Sequence, residues 1–479
     1  MNNYIKIAVI SVLSLLLFSC GGYHRPDATA EGLPNLFPDY SGVTLPPNIA
    51  APNFRIMTEA DGYQATAGLH GVEPDIVISS SDGLISFPLD KWKRLAEAHR
   101  GDSIEINISL DNNGKWTAYD PLTIYIAPDS IDGWLAYRLL YPGYELWNEM
   151  GIYQRNLSSF EQIPVIENKE IDKQCLNCHN FAAGDPNTMM LHVRGPNGGT
   201  LIHALGKTCK VKKPSGDVMP HGAAYPAWNP EGRYIAFAAN DIQQFFHRSG
   251  QKTIEVVDLA ADLMVYDTTT GEALTDSAVC RPEFLETFPS WSPDGRTIYF
   301  CRADYSDSLS LDSIRYDLCR IDFDPATRSF GTVEKIFCAS DSSKSVSFPR
   351  VSPDGRWLLF TLSDYGNFSI WHAESDLWLM DLSDLSIRPL TEVNSSDAVD
   401  SYHTWSSDGR WFVFSSKRID GLWARPYIAA FDPATGRAGR PALLPQEDPD
   451  WYMQTLLSFN VPELVKGKIT VSEELKKAL

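Results

Sequence analysis

No G-x-S-x-G turn occurs anywhere in the 479 residues, so the strained elbow that exposes a serine nucleophile in many hydrolases is missing. The apolar run near the start, Ile7 to Phe18, falls short of the roughly 20 residues that cross a bilayer as a helix. Basic residues are scarce beside acidic ones, 41 against 61, and the net charge of −20 argues against nucleic acid as a partner. Cysteine is sparse too, at eight residues, and no βαβ pattern surrounds the one closely spaced pair. A thioredoxin-like redox fold is therefore a poor fit.

The first residues carry Lys6, then the apolar run, then Leu17-Phe18-Ser19-Cys20. A short apolar core behind a basic start reads as a cleaved export signal. The last four residues resemble the lipobox of bacterial lipoproteins, in which the cysteine becomes the acylated mature N-terminus. That resemblance implies lipidation at Cys20, attachment to the membrane through the lipid, and, with Gly21 following, an outer-membrane location facing the periplasm. The alternative is an ordinary secretory signal cut near Ser19.

Residues 21–54 are rich in proline and glycine without periodicity, which predicts an extended tether. Residues 55–150 read as a small α+β domain. Asp75–Ser79 and Ser103–Leu110 alternate as half-buried strands, Asp111-Asn112-Asn113-Gly114 signals a hairpin into Lys115–Tyr119, and Leu122–Ala127 follows. Leu89–His99 has helical spacing, with Trp92, Leu95 and Ala96 on one face. Ile131–Leu140 and Tyr144–Met150 read as short aromatic helices leading into a segment at 151–220.

Four stretches of the second half align: YPAWNPEGRYIAFAA from Tyr225, FPSWSPDGRTIYFCR from Phe288, FPRVSPDGRWLLFTL from Phe348 and YHTWSSDGRWFVFSS from Tyr402. Each joins a short strand to an alternating one through a tight turn at Gly232, Gly295, Gly355 or Gly409, where glycine takes positive φ at no steric cost. A second hairpin in each interval makes four strands per unit, one blade of a propeller. Asp294, Asp354 and Asp408 recur with the turn, so they are turn residues. These segments resemble the PD40 (WD40-like) repeats of TolB-type β-propellers, over roughly residues 222–446. Val351 replaces the repeated tryptophan and Ser407 the turn proline. The expected fold is thus mainly β: a propeller over 221–479 with four recognisable blades, five or six in all, with strands from 196–220 and 450–470 completing it.

Residues 175–179 read Cys-Leu-Asn-Cys-His. At this spacing Cys175 and Cys178 can bond the two vinyl groups of a haem, and His179 can ligate its iron. For the sixth position His192 is favoured, with Met189 and Met190 as alternatives, all far enough along the chain to wrap the porphyrin edge. Arg194 can pair with a propionate. Two other readings stay open: a zinc site using Cys175 and Cys178 with two of His192, His203 and Cys209, or a local disulfide or thiol pair. Of the remaining cysteines, Cys301 and Cys319 fall in neighbouring strands and can pair or stay buried as thiols.

The leading functional expectation is a lipid-anchored electron-transfer protein of the cell envelope. It carries one covalent haem c, with its iron, and docks redox or envelope partners on the propeller face. The alternative is a non-catalytic interaction protein of the TolB-like kind. A hydrolase is disfavoured, and no catalytic residues are assigned.

Overall fold

The computed structural model describes residues 23–142, 149–196, 198–211, 222–247, 252–306 and 308–479. The export signal and Cys20 lie outside the described residues, and so does the side chain of Cys178. No helix among the described residues is long and apolar enough to cross a membrane.

The N-terminal unit is a mixed sheet around the long strand Ser103–Asn112, which pairs with Gly62–Gly68, Lys115–Ala118 and Leu122–Ile126. The helix Leu89–Ala98 buries the expected face of Trp92, Leu95 and Ala96. The tether expectation for 21–54 is corrected. Ala28–Thr29 and Thr44–Leu45 add parallel edge strands to this sheet, and Leu36–Phe37 pairs with Phe54–Ile56. Val43, Leu45, Ile49 and Phe54 are fully buried in its core. The prolines here end short strands and do not mark free chain.

Six sets of strands follow, here termed sheets, the third and fourth being joined in one nine-stranded sheet by a parallel bridge between Ala261 and Leu285. The first sets Gln162–Glu167, Met150–Asn156 and Trp134–Leu140 beside Ser458–Val465 from the far end of the chain. This overturns the first of the two aromatic helices expected before the haem segment, Ile131–Leu140. Trp134–Leu140 is a strand buried on both faces, so it lacks the alternation that would reveal it. Tyr144–Met150 lies mostly outside the described residues, and its Met150 opens the next strand.

The second sheet is Cys175–Phe181, Met189–Arg194, Gly199–Ala204 and Lys207–Val211. The supposed haem segment at 151–220 is therefore divided between two sheets. The third, fourth, fifth and sixth sheets begin with Gly222–Trp228, Phe284–Trp291, Ser345–Val351 and Asp400–Trp405, the four repeat strands.

These leading strands lie against one another in chain order, and Ser458–Val465 touches both Asp400–Trp405 and Cys175–Phe181. Apolar clusters fill the spaces between successive sheets. The N-terminal unit shares one core with the fifth and sixth sheets. That seam is fastened by Asn53 Nδ2 donating to the Glu447 carbonyl at 2.9 Å and by Arg55 Nε to Asp450 at 2.5 Å.

Candidate functional site

Every leading strand of the six sheets has one local break in register, and the breaks coincide in pattern. In the four repeats the break falls at Tyr225-Pro226, Phe288-Pro289, Phe348-Pro349 and Tyr402-His403. Its first residue has positive φ: 47°, 52°, 52° and 53° in turn. Such bulges swing one side chain out of the ladder, and the four rings meet near the centre. Tyr225 and Phe288 lie 4.1 Å apart, Phe288 and Phe348 4.1 Å, and Phe348 and Tyr402 4.8 Å between centroids. Ser458–Val465 has the same break at Val461-Pro462, with φ 43° at Val461. In Cys175–Phe181 it falls at Cys178-His179.

Cys178 thus stands in register where the other strands carry Tyr, Phe or Val, and His179 stands where they carry proline or His403. The equivalence extends to what the imidazoles touch. His403 donates from Nε2 to the Leu359 carbonyl at 3.0 Å and has a further backbone hydrogen bond to Phe348. His179 has backbone hydrogen bonds to Ala136 and Val461, the corresponding positions of the preceding sheet. Burial pushes both rings down to about 3, helped by Arg138 beside His179 and by Arg350 beside His403.

His179 Nε2 has no hydrogen-bond partner and lies 3.9 Å from Glu463 Oε1, also unpartnered. Burial lowers the His179 ring and raises the Glu463 carboxyl to about 8, the latter against the pull of Arg350 and of donors from Phe181 and Asn180, so both groups are biased toward their neutral forms.

The described surroundings of His179 leave little room for a haem. His179 is enclosed at the step between two sheets, with a side-chain exposure of 1%. The cavity it shares with Cys175 holds about 180 Å³, below the roughly 300 Å³ at which pockets for drug-sized ligands begin. A porphyrin is larger still. The axial-ligand expectation also meets the register. His179 pairs with Leu191 and Asn177 with His192, so His179 and His192 lie on opposite faces of one sheet. His192 bonds Thr200 Oγ1 at 3.0 Å instead, and burial, with Arg194 nearby, lowers it to about 4. Met189 is fully buried in the cluster between the first and second sheets, Met190 in that between the second and third.

Among the described residues, no group of three or more His, Cys, Asp or Glu is placed to hold a metal, and Cys209 is exposed on an outer strand. Cys301 and Cys319 are both free. Cys319 pairs in register with Phe300, the neighbour of Cys301, which sends the two thiols to opposite faces and into different clusters. Asp294, Asp354 and Asp408 accept from the backbone N–H two residues on, at 3.0 to 3.1 Å, as turn residues should. Ser407 replaces the turn proline because its N–H and hydroxyl both donate to Asp132, at 2.7 and 2.6 Å, and proline has no N–H to offer.

Two cavities lie at the centre. One, of about 370 Å³ on the side of the glycine turns, is bordered by Asn180, Ser290, Arg350, Thr404 and Glu463, each two residues past the first bulge residue of its strand. The other, of about 180 Å³, is bordered by the aromatic bulge residues Tyr225, Phe348 and Tyr402, and by Arg138, Arg194 and Lys417. Of the basic three, sequence reasoning singled out only Arg194. Arg138 and Lys417 sit in strands or turns whose relation to the centre follows from sheet order alone, so no local signal marked them.

No family model matches the chain, and no curated protein matches it. Solved structures similar to it include one of two prolyl endopeptidases, at 14% identity and TM-score 0.35, covering 55% of this chain and 35% of that one. Another is the oligogalacturonate lyase of Vibrio parahaemolyticus, at 11% identity and TM-score 0.33, covering 60% and 84%. A third is dipeptidyl peptidase 4 of Porphyromonas gingivalis, at 10% identity and TM-score 0.34, covering 64% and 46%. The chain spans about a third of the endopeptidase's length. At these values the likenesses carry no statement about activity.

Proposed function

We propose that this protein is a non-catalytic binding propeller of the cell envelope, closed as six blades and held at the membrane by a lipid on Cys20. The observation that carries this reading is the equivalence of His179 with His403. A histidine set against the corresponding backbone positions, and as deeply buried, occurs in a repeat that has no cysteine. The Cys175–His179 stretch is on this reading a diverged copy of the repeat strand, with structural work to do between blades. The working surface is then the centre of the ring, where equivalent positions of all six leading strands converge. Six-blade closure is supported by the six matching register breaks and by the pairing of Ser458–Val465 with Trp134–Leu140.

The test is direct. The full chain is expressed with export and haem-maturation machinery, extracted with acidified acetone and weighed intact. The expected product is colourless, at the mass of the lipidated polypeptide. Red colour that stays on the chain, with a mass gain lost in a Cys175→Ala, Cys178→Ala variant, would restore the cytochrome reading and defeat this one.

A further inference from the structure

The smaller central cavity has an uneven wall. Lys417 directly follows the strand Trp411–Ser416 of the sixth sheet, Arg138 lies in the first and Arg194 in the second, and all three border the cavity. The same cavity is bordered by Ile254 and Val256 of the third sheet and by Phe368 and Trp371 of the fifth, with Trp371 lying under Lys417. Among the described residues no aspartate or glutamate borders the cavity, in a chain whose net charge is −20.

Lys417 is the most telling of the three. It is 3% exposed, its Nζ has no hydrogen-bond partner, and it sits 3.0 Å from the centre of the Trp371 ring. Burial holds its amine well below the ordinary lysine range, with Asp420 opposing. Arg138 is fixed in place by donating to the Leu176 carbonyl at 3.1 Å and to Asn177 Oδ1 at 2.6 Å.

A buried amine with no hydrogen-bond partner, in a cavity also lined by two guanidinium groups and by no carboxylate among the described residues, is costly to hold charged. Such an arrangement persists where an anion visits to satisfy it. The apolar part of the wall adds the second requirement. An apolar cavity of about 150 Å³ is enough to hold one benzene ring, and this one holds about 180 Å³.

We infer that the cavity binds a small carboxylate with a single-ring or similarly compact apolar body, its carboxylate toward the basic residues Lys417, Arg138 and Arg194 and its body against Ile254, Val256 and Phe368. This rests on the binding-propeller reading and supplies its ligand class.

Calorimetric titration of benzoate, and of benzamide as its uncharged counterpart, into the purified full chain tests the inference. Benzoate is expected to bind saturably at one site, and benzamide at least tenfold more weakly. Lys417→Met, which keeps the shape and removes the buried amine, is expected to weaken benzoate tenfold or more and to raise the melting temperature. Arg194→Gln, at a part-exposed position, is expected to weaken benzoate severalfold with the melting temperature unchanged. Absence of saturable benzoate binding overturns the inference. So does equal affinity for benzamide, or benzoate binding that neither substitution alters. A colourless protein that fails to bind benzoate defeats only this ligand class, whereas covalent haem defeats the reading beneath it.

Discussion

Proline has no N–H to donate and its φ is fixed near −65°, yet four of the six equivalent bulge positions carry it: Pro226, Pro289, Pro349 and Pro462. The backbone at His179 therefore suits proline. His179→Pro is expected to fold, losing about 1–3 kcal/mol for the imidazole's hydrogen bonds, as measured by urea unfolding. A variant that fails to fold would mean that the strand is not a repeat copy. Glu463 offers a second residue-scale check. Its folded value of about 8 lies above its reference value of 4.5, so the folded chain holds a proton there that the unfolded chain has lost between those values. The resulting stability is full below about pH 4.5 and fades as pH rises to about 8. Glu463→Gln removes that dependence. Its melting temperature relative to wild type should climb as pH goes from 5 to 8, with Arg350, His179 and Lys466 around it unchanged. A difference that stays flat over this range would show the carboxyl to be charged throughout.

At the scale of the element, the bulge aromatics act as a plug built from four strands. Phe288 is fully buried and lies 4.1 Å from both Tyr225 and Phe348. Phe288→Ala should cost about 3–5 kcal/mol, read as a shift in denaturant midpoint, because the neighbours are pinned by their own positive-φ backbones and cannot close over the gap. The same bulges explain what was legible beforehand. The four repeats with Gly232, Gly295, Gly355 and Gly409 carried strong turn chemistry, and their strands are where the spacing placed them. The copies at Cys178-His179-Asn180-Phe181 and Val461-Pro462-Glu463-Leu464 lack the S-P-D-G turn. Only the sequence of bulge residue, proline or histidine, any residue, then a large apolar side chain remained to identify them. In the first of these, the cysteine and histidine of that copy coincide with the spacing of a haem attachment motif, and spacing alone does not distinguish a loop from a paired strand. The central cations were illegible for another reason. They come from three sheets far apart in the chain, and only the ring order brings them together.

For the whole molecule, the N-terminal unit and the later sheets share one core. Residues 23–54 place Tyr40, Val43, Leu45 and Phe54 in a core that also contains Trp411 and Phe431 of the sixth sheet. Tyr40 Oη donates across that seam to the Leu443 carbonyl at 3.2 Å. A true tether can be deleted freely. Here a variant lacking residues 23–54 is expected to aggregate or to melt far below wild type, checked by size exclusion and circular dichroism. Unchanged melting would return those residues to the role of spacer.

The pairing of Ser458–Val465 with Trp134–Leu140 also sets a clock on synthesis. Residue 140 leaves the ribosome long before residue 458 exists, by on the order of half a minute at about 5–20 residues per second. Until then the first sheet has an exposed edge on its central side and the neighbouring sheets have no last partner to lean on. An emerging chain of this design cannot lock itself shut early. It stays open to chaperones that guard bare strand edges until Ser458–Val465 arrives.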